Sequence, residues 1–151
     1  SKGRRIKRSL NIRMESVKNL SQADIQNFSK IQLISDYILQ RSEEINTYNE
    51  THTIDKSLLI NGRNLTNIGV FRKYMETFIE KHSAINKDMM IMVRQLQPSA
   101  HGLPIEIYAF SSDKRWANYE YIIADIFDHM IASVNDFDLE ISETSVFPSL
   151  K

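Results

Sequence analysis

The sequence predicts an α+β domain with βαββαβ order and an antiparallel sheet, on three observations. Residues 89–96 and 103–110 are two strand-like runs joined by the loop Gln97-Pro98-Ser99-Ala100-His101-Gly102. Residues 114–134 then carry apolar side chains at helical spacing, as do residues 68–79 before the hairpin. Ile6, Leu10 and Ile12 recur at even spacing near the start, the mark of a strand with one buried face.

The elements follow in order. Residues 5–12 form the first strand, and Lys2, Arg4, Arg5, Lys7 and Arg8 crowd its beginning with no compensating acid. Such a run suits a nucleic-acid or membrane surface, or the solvent side of an edge strand that resists edge-to-edge pairing. Ser21 and Asp24 make a capping-box variant, and Ile25, Phe28, Ile31, Ile34 and Ile38 then fall on one helical stripe that fades near Ile45. Residues 46–56 are polar without periodicity and read as a loop, with a short strand over 57–60 before the turn signal Asn61-Gly62. Residues 21–64 are therefore an insertion into an otherwise single domain spanning 1–151.

A second helix, 66–81, starts from Thr66 or Asn67 as N-cap. Ile68, Phe71, Met75, Phe78 and Ile79 form its stripe, and Lys81-His82 complement its C-terminal dipole. In the hairpin strand 103–110, Leu103, Ile105, Ile107 and Ala109 face one way, and Glu106, Tyr108 and Phe110 the other. Ser111 and Ser112 read as a cap for the last helix, whose Trp116, Tyr119, Ile123, Ile126, Phe127, Met130 and Val134 mark its core face. Phe137, Leu139 and Ile141 alternate as a closing strand. With the insertion set aside, this is the ferredoxin-like split βαβ order, with two covering helices on one sheet face and the other face open to a partner or neighbouring subunit.

Composition limits the function. Nineteen basic and nineteen acidic residues cancel, so no global field favours nucleic acid or anionic lipid. The absence of cysteine excludes thiol catalysis, thiolate metal sites and disulfides. The longest apolar run, 89–93, falls far short of the ~20 residues that span a bilayer. No signal-peptide pattern opens the chain, which reads as soluble, and Ser1-Lys2-Gly3 reads as an interior point of a longer protein.

Reactive constellations are sparse. Asp125 and His129 stand four apart with Asp128 between them, a spacing that could share a metal but more simply gives an Asp–His ion pair on a solvated helix face. His101 is a loop histidine with no nucleophile or carboxylate at motif spacing. Neither GxGxxG nor GxxxxGK[ST] occurs, and Ser111-Ser112 lacks a glycine-flanked elbow. The sequence thus reads as non-enzymatic, with no catalytic residue, cofactor or metal expected. Tyr108 and Phe110 alternate where an RNA-recognition motif keeps stacking aromatics. That motif's K/R-G-F/Y run is replaced by Gly102-Leu103-Pro104-Ile105-Glu106, however, and the first strand has no aromatic. No nucleic-acid partner is expected, and the two rings are read as packing against the insertion helix or another subunit. A small-molecule regulatory domain is the remaining alternative.

Five ordered stretches carry a resemblance: Gly3-Arg4-Arg5-Ile6-Lys7-Arg8, Thr66-Asn67-Ile68-Gly69-Val70-Phe71-Arg72, Val93-Arg94-Gln95-Leu96-Gln97-Pro98, Gly102-Leu103-Pro104-Ile105-Glu106-Ile107-Tyr108-Ala109-Phe110 and Ala124-Asp125-Ile126-Phe127-Asp128-His129. Together they resemble the C-terminal cytoplasmic region of bacterial small-conductance mechanosensitive channels, in the miniconductance branch that has an insertion after this domain's first strand. The resemblance implies membrane helices and a cytoplasmic β domain upstream, neither of which lies in these 151 residues. It also implies a homo-oligomer of seven subunits forming a solute-filtering cage beneath an inner-membrane pore that releases ions and small solutes under hypo-osmotic tension. Tyr108 and Phe110 are the candidate subunit contacts, and no pore or gate residue falls within the chain.

Overall fold

Strands β1 (Arg4–Ile12), β2 (Met92–Gln95) and β3 (Leu103–Ser111) form an antiparallel sheet in the order β1-β3-β2. The computed structural model describes residues 2–143. Four α-helices accompany the sheet: α1 (Gln22–Phe28), α2 (Ser35–Thr51), α3 (Asn67–Glu80) and α4 (Trp116–Ser133). Period-two alternation sets the register. Ile6 lies opposite Ala109, Leu10 opposite Ile105 and Ile12 opposite Leu103, so one face collects aliphatic side chains. On that face α4 packs over β1 and α3 over β2, and Ile6, Ile105, Ile107, Phe71, Met75, Ile126 and Met130 are all fully buried between them.

The expected insertion is closed at its base. Asn19 bridges Thr66, and the Leu20 N–H donates to the Leu65 carbonyl at 2.8 Å, so the chain leaves and re-enters the core at one point. Ser21 and Asp24 form the expected capping box, each side chain accepting from the other's backbone N–H. The predicted single helix is nonetheless broken: α1 ends at Phe28 and a 3₁₀ turn over Gln32–Ile34 precedes α2. Phe28, Ile34 and Ile38 still reach the core, because spacings of three and four serve a turn between helices as well as one continuous helix. In place of the loop expected from residue 46, α2 runs on to Thr51, held by the buried Asn49, whose Oδ1 accepts from Arg63 N–H and whose Nδ2 donates to the Arg63 carbonyl. No strand forms at 57–60. Lys56 Nζ instead donates to the carbonyls of Leu59 and Asn61 and to Asn64 Oδ1, gathering the segment into turns.

Three boundaries shift for local reasons. The strand expected at 89–96 narrows to Met92–Gln95, since an Asx turn from Asn86 Oδ1 to Asp88 N–H occupies the approach and Asn86 N–H donates to Phe110 at the end of β3. Ser111 and Ser112 do not cap α4. Ser111 is buried and its hydroxyl donates to the Asp113 carbonyl, while the Asp113 carboxylate accepts from the backbone N–H of Arg115 and from Asn118. The expected closing strand is not formed. Val134–Phe137 continue α4 as a 3₁₀ turn, and Asp138 takes a left-handed conformation (φ 56°) that reverses the chain. Phe137 is drawn inward because its ring fits among Phe28, Phe71 and Tyr74, at centroid distances of 5.6, 5.4 and 5.2 Å. Of the alternation, Leu139 is buried and Ile141 makes one antiparallel bridge to Ile12.

One amide joins these parts. Asn67, fully buried, accepts from Lys18 N–H at 2.8 Å and donates to the carbonyls of Ser16 (2.9 Å) and Phe137 (3.1 Å), while its own N–H reaches Lys18 O. The preceding Thr66 is the N-cap of α3, accepting from Gly69 N–H. A Cβ on Gly69 would lie 3.1 Å from that hydroxyl, so the glycine keeps the cap uncrowded.

Asn67→Ala would strand one donor and two acceptors in the interior, each costing on the order of 1 kcal/mol or more. We expect a loss of about 3 kcal/mol in urea unfolding, where a typical surface asparagine costs under about 0.5 kcal/mol. Acid should act through two carboxylates. The Ser21 backbone N–H holds Asp24 below the usual carboxylate range, and the Arg115 guanidinium holds Asp113 well below it. The folded state therefore binds fewer protons than the unfolded chain. The stability these groups contribute is full above the unfolded value of about 4 and lost as pH falls through the folded values. Asp24→Asn should be less stable than wild type near neutral pH, and the two should converge in strong acid when followed by circular dichroism.

Candidate interface on the open sheet face

The second sheet face is built by the positions opposite in parity to the core. Phe110 lies across from Arg5, Tyr108 across from Lys7 on one side and Met92 on the other, and Glu106 across from Ser9 and Arg94. The Tyr108 and Phe110 rings meet edge to face, with centroids 5.6 Å apart at 86°. Both are half-buried, Met92 is 39% exposed, and Arg5 and Lys7 are exposed beside them. The insertion does not cover these rings: it packs through Phe28 and Ile34 on the helical side, against Phe137 and α3. Of the two packings expected for Tyr108 and Phe110, the one against the insertion is thereby removed.

Charge on this face is partly neutralised. Glu106, only 4% exposed although it lies on the outer side of the sheet, accepts from Arg94 Nε at 2.8 Å. The basic run at the start of the chain divides between the two faces. Arg4 and Arg8 lie over the rings of Tyr119 and Phe127 on α4, at 4.1 and 5.7 Å, while Arg5 and Lys7 stay on the open face. Along the outer edge of β1, the Tyr119 hydroxyl donates to the Arg5 carbonyl. The cations therefore do not form the single patch that their sequence clustering suggests.

The remaining candidates separate. Asp125 pairs with His82 across the helices, at 2.8 Å, and not with His129. His129 Nε2 lies 2.6 Å from the Tyr74 hydroxyl, and its ring stacks on Phe78 at 3.9 Å. Burial pushes the Tyr74 hydroxyl above its ordinary pKa. Asp128 is exposed on the outer side of α4. His101 is exposed at the tip of the β2–β3 loop, where Gly102 takes φ 116° and a Cβ would lie 2.8 Å from the Ile12 carbonyl. Among the described residues no group of three or more His, Cys, Asp or Glu side chains could hold a metal ion, and no helix is long and apolar enough to cross a membrane.

Sequence reasoning missed His82 as the partner of Asp125, Tyr74 as the partner of His129, and Arg94 as the partner of Glu106. The last was legible, since two antiparallel strands joined by a short loop place opposite charges across from each other. The helix–helix pairs depend on a crossing that spacing within one helix does not reveal. No protein-family model matches the chain.

The ion pair makes a direct test of the face. The Arg94 side chain is 46% exposed and that of Glu106 5%, so removing the cation leaves a buried carboxylate while water still reaches the site. Arg94→Met should lower stability by about 2 kcal/mol, below the 3–5 typical of a fully buried pair. Adding Glu106→Gln should recover most of that loss in the same denaturant titration.

Proposed function

We propose that this chain is a wall element of the cytoplasmic cage of a small-conductance-type mechanosensitive channel, miniconductance branch, on the cytoplasmic side of a bacterial inner membrane. The observation that carries the reading is the ordered set of five motifs spread over nearly the whole sequence. The fold is consistent with it. The sheet order β1-β3-β2, helices on one face and the antiparallel bridge of Ile141 at the free edge of β1 are the parts from which a ferredoxin-like 4-1-3-2 sheet is built. The Thr66-Asn67-Ile68-Gly69 motif also has a structural role: it caps α3 and ties the base of the insertion to the end of α4.

In this reading the function is assembly and not chemistry. Seven copies would surround a solute-filled vestibule, with Tyr108, Phe110 and Met92 available to a neighbouring subunit and Arg5 and Lys7 beside them. Tension would open a pore formed by the upstream membrane helices, and the cage would filter what leaves by size and charge.

The test is osmotic. Expressed with its upstream segments in a bacterium lacking its own mechanosensitive channels, the protein should raise survival of hypo-osmotic shock, and Tyr108→Ala with Phe110→Ala should reduce that protection at equal expression. Survival equal to empty vector, with normal membrane expression, would overturn the reading. The cations flanking the ring pair favour one rival, single-stranded RNA binding. It requires salt-dependent binding to this chain that disappears with the same two substitutions.

A further inference from the structure

Within the insertion, α2 and the segment 54–65 enclose a cavity of about 430 Å³, inside the range that holds small ligands. Its floor is aliphatic and buried: Leu20, Ile45 and Leu65 are each no more than 8% exposed. Three polar groups on its lining make no side-chain hydrogen bond or ion pair among the described residues. The Ser42 hydroxyl oxygen is buried and makes no hydrogen bond, although a serine in a helix usually donates to the carbonyl one turn back. The Glu50 carboxylate and the Arg63 guanidinium lie at the exposed rim, and neither forms an ion pair or side-chain hydrogen bond with the other or with any other described residue.

The rim is also held in place. The Arg63 guanidinium lies 3.7 Å from the centroid of the Tyr48 ring, which stacks on His52 at 4.0 Å, and the Arg63 backbone is fixed by the Asn49 amide. Lys56, also on the lining, directs its three donors to the carbonyls of Leu59 and Asn61 and to Asn64 Oδ1, so it shapes the wall and its charge adds to that of Arg63. The site therefore presents one guanidinium with free donors, one carboxylate, one unused hydroxyl and an aliphatic floor, with the donors of Lys56 already occupied.

We propose that this cavity binds a small zwitterion with an aliphatic body, an aliphatic α-amino acid or a compound of like chemistry. Its carboxylate meets Arg63, its ammonium meets Glu50, its hydrocarbon covers Ile45 and Leu65, and one polar atom reaches Ser42. Guanidinium and carboxylate form charge-assisted hydrogen bonds, and a zwitterion satisfies both rim charges where a singly charged molecule leaves one unpaired. The site lies in the insertion and at its base and does not depend on the channel reading.

The test is an NMR titration of the full 151-residue chain with L-leucine, with isocaproate and isoamylamine as arms that each keep one charge. Saturable shifts at Ser42, Asn46 and Leu65 are expected with leucine, and binding at least about tenfold weaker with either arm. Glu50→Gln and Arg63→Gln, both at exposed positions, should each weaken leucine about tenfold while leaving the remaining spectrum unchanged. Ser42→Leu should fill the cavity and remove binding without lowering the melting temperature. Absence of saturable shifts up to the solubility of leucine would overturn the proposal. So would equal binding of either arm, or rim variants that bind as well as wild type.

Discussion

The buried side chain of Asn67 is the interaction on which the arrangement of this domain depends. A primary amide has two donors and two acceptor lone pairs, and burying it without partners is costly enough that the surrounding backbone must supply them. Here the partners come from separate stretches: Lys18 and Ser16 after β1, and Phe137 after α4. The position that begins α3 thus fixes where the chain leaves the sheet and where the last helix ends. Lys18 adds an ion pair to Asp138 at 2.9 Å on the same spot, partly exposed and so a minor contribution beside the amide. Because the Leu20–Leu65 bond closes the insertion immediately beside it, the excursion from 21 to 64 hangs from a junction that is already rigid.

The parts of the fold written in local periodicity were legible from the sequence. β1, α3, β3 and α4 each carry a pattern of period two or 3.6, and each formed within about two residues of expectation. Expectation failed where a residue answers to a distant partner. Phe137 alternates with Leu139 and Ile141 as a strand would, yet its ring belongs to an aromatic cluster with Phe28, Phe71 and Tyr74, and packing there wins over extension. Asn49 lies in a stretch that read as loop because it is polar without periodicity, but it stays helical since both ends of its amide bind the Arg63 backbone. Leu58, Leu59 and Ile60 looked like a strand because they are apolar, but they have no neighbouring strand to pair with and are 62, 40 and 74% exposed.

The candidate sites divide in the same way. Strand parity alone placed Tyr108 and Phe110 together on the outer face of β3, and it could equally have sorted Arg4 and Arg8 from Arg5 and Lys7. The insertion cavity left no such signal. Its floor combines Leu20, Ile45 and Leu65, and its rim Glu50 and Arg63, residues brought together only once α2 extends to Thr51 and the following segment folds back. Reading 46–56 as a loop removed the wall on which the cavity stands.

The open face also bears on how an assembly of this domain would be held together. A stable interface buries about 800 Å² on each partner, with a fully desolvated apolar centre. Tyr108, Phe110 and Met92 offer a narrower strip, flanked by Arg5 and Lys7, whose burial against a like-charged copy would be opposed unless acidic groups met them. Such a strip orients neighbours better than it binds them. Orientation suffices in the proposed cage, because subunits already joined through another region meet at an effective concentration in the millimolar range, where individually weak contacts are occupied. A face that is firm within its own subunit and weak between subunits would suit the proposed cage wall, which would have to stay in register as a pore above it opened.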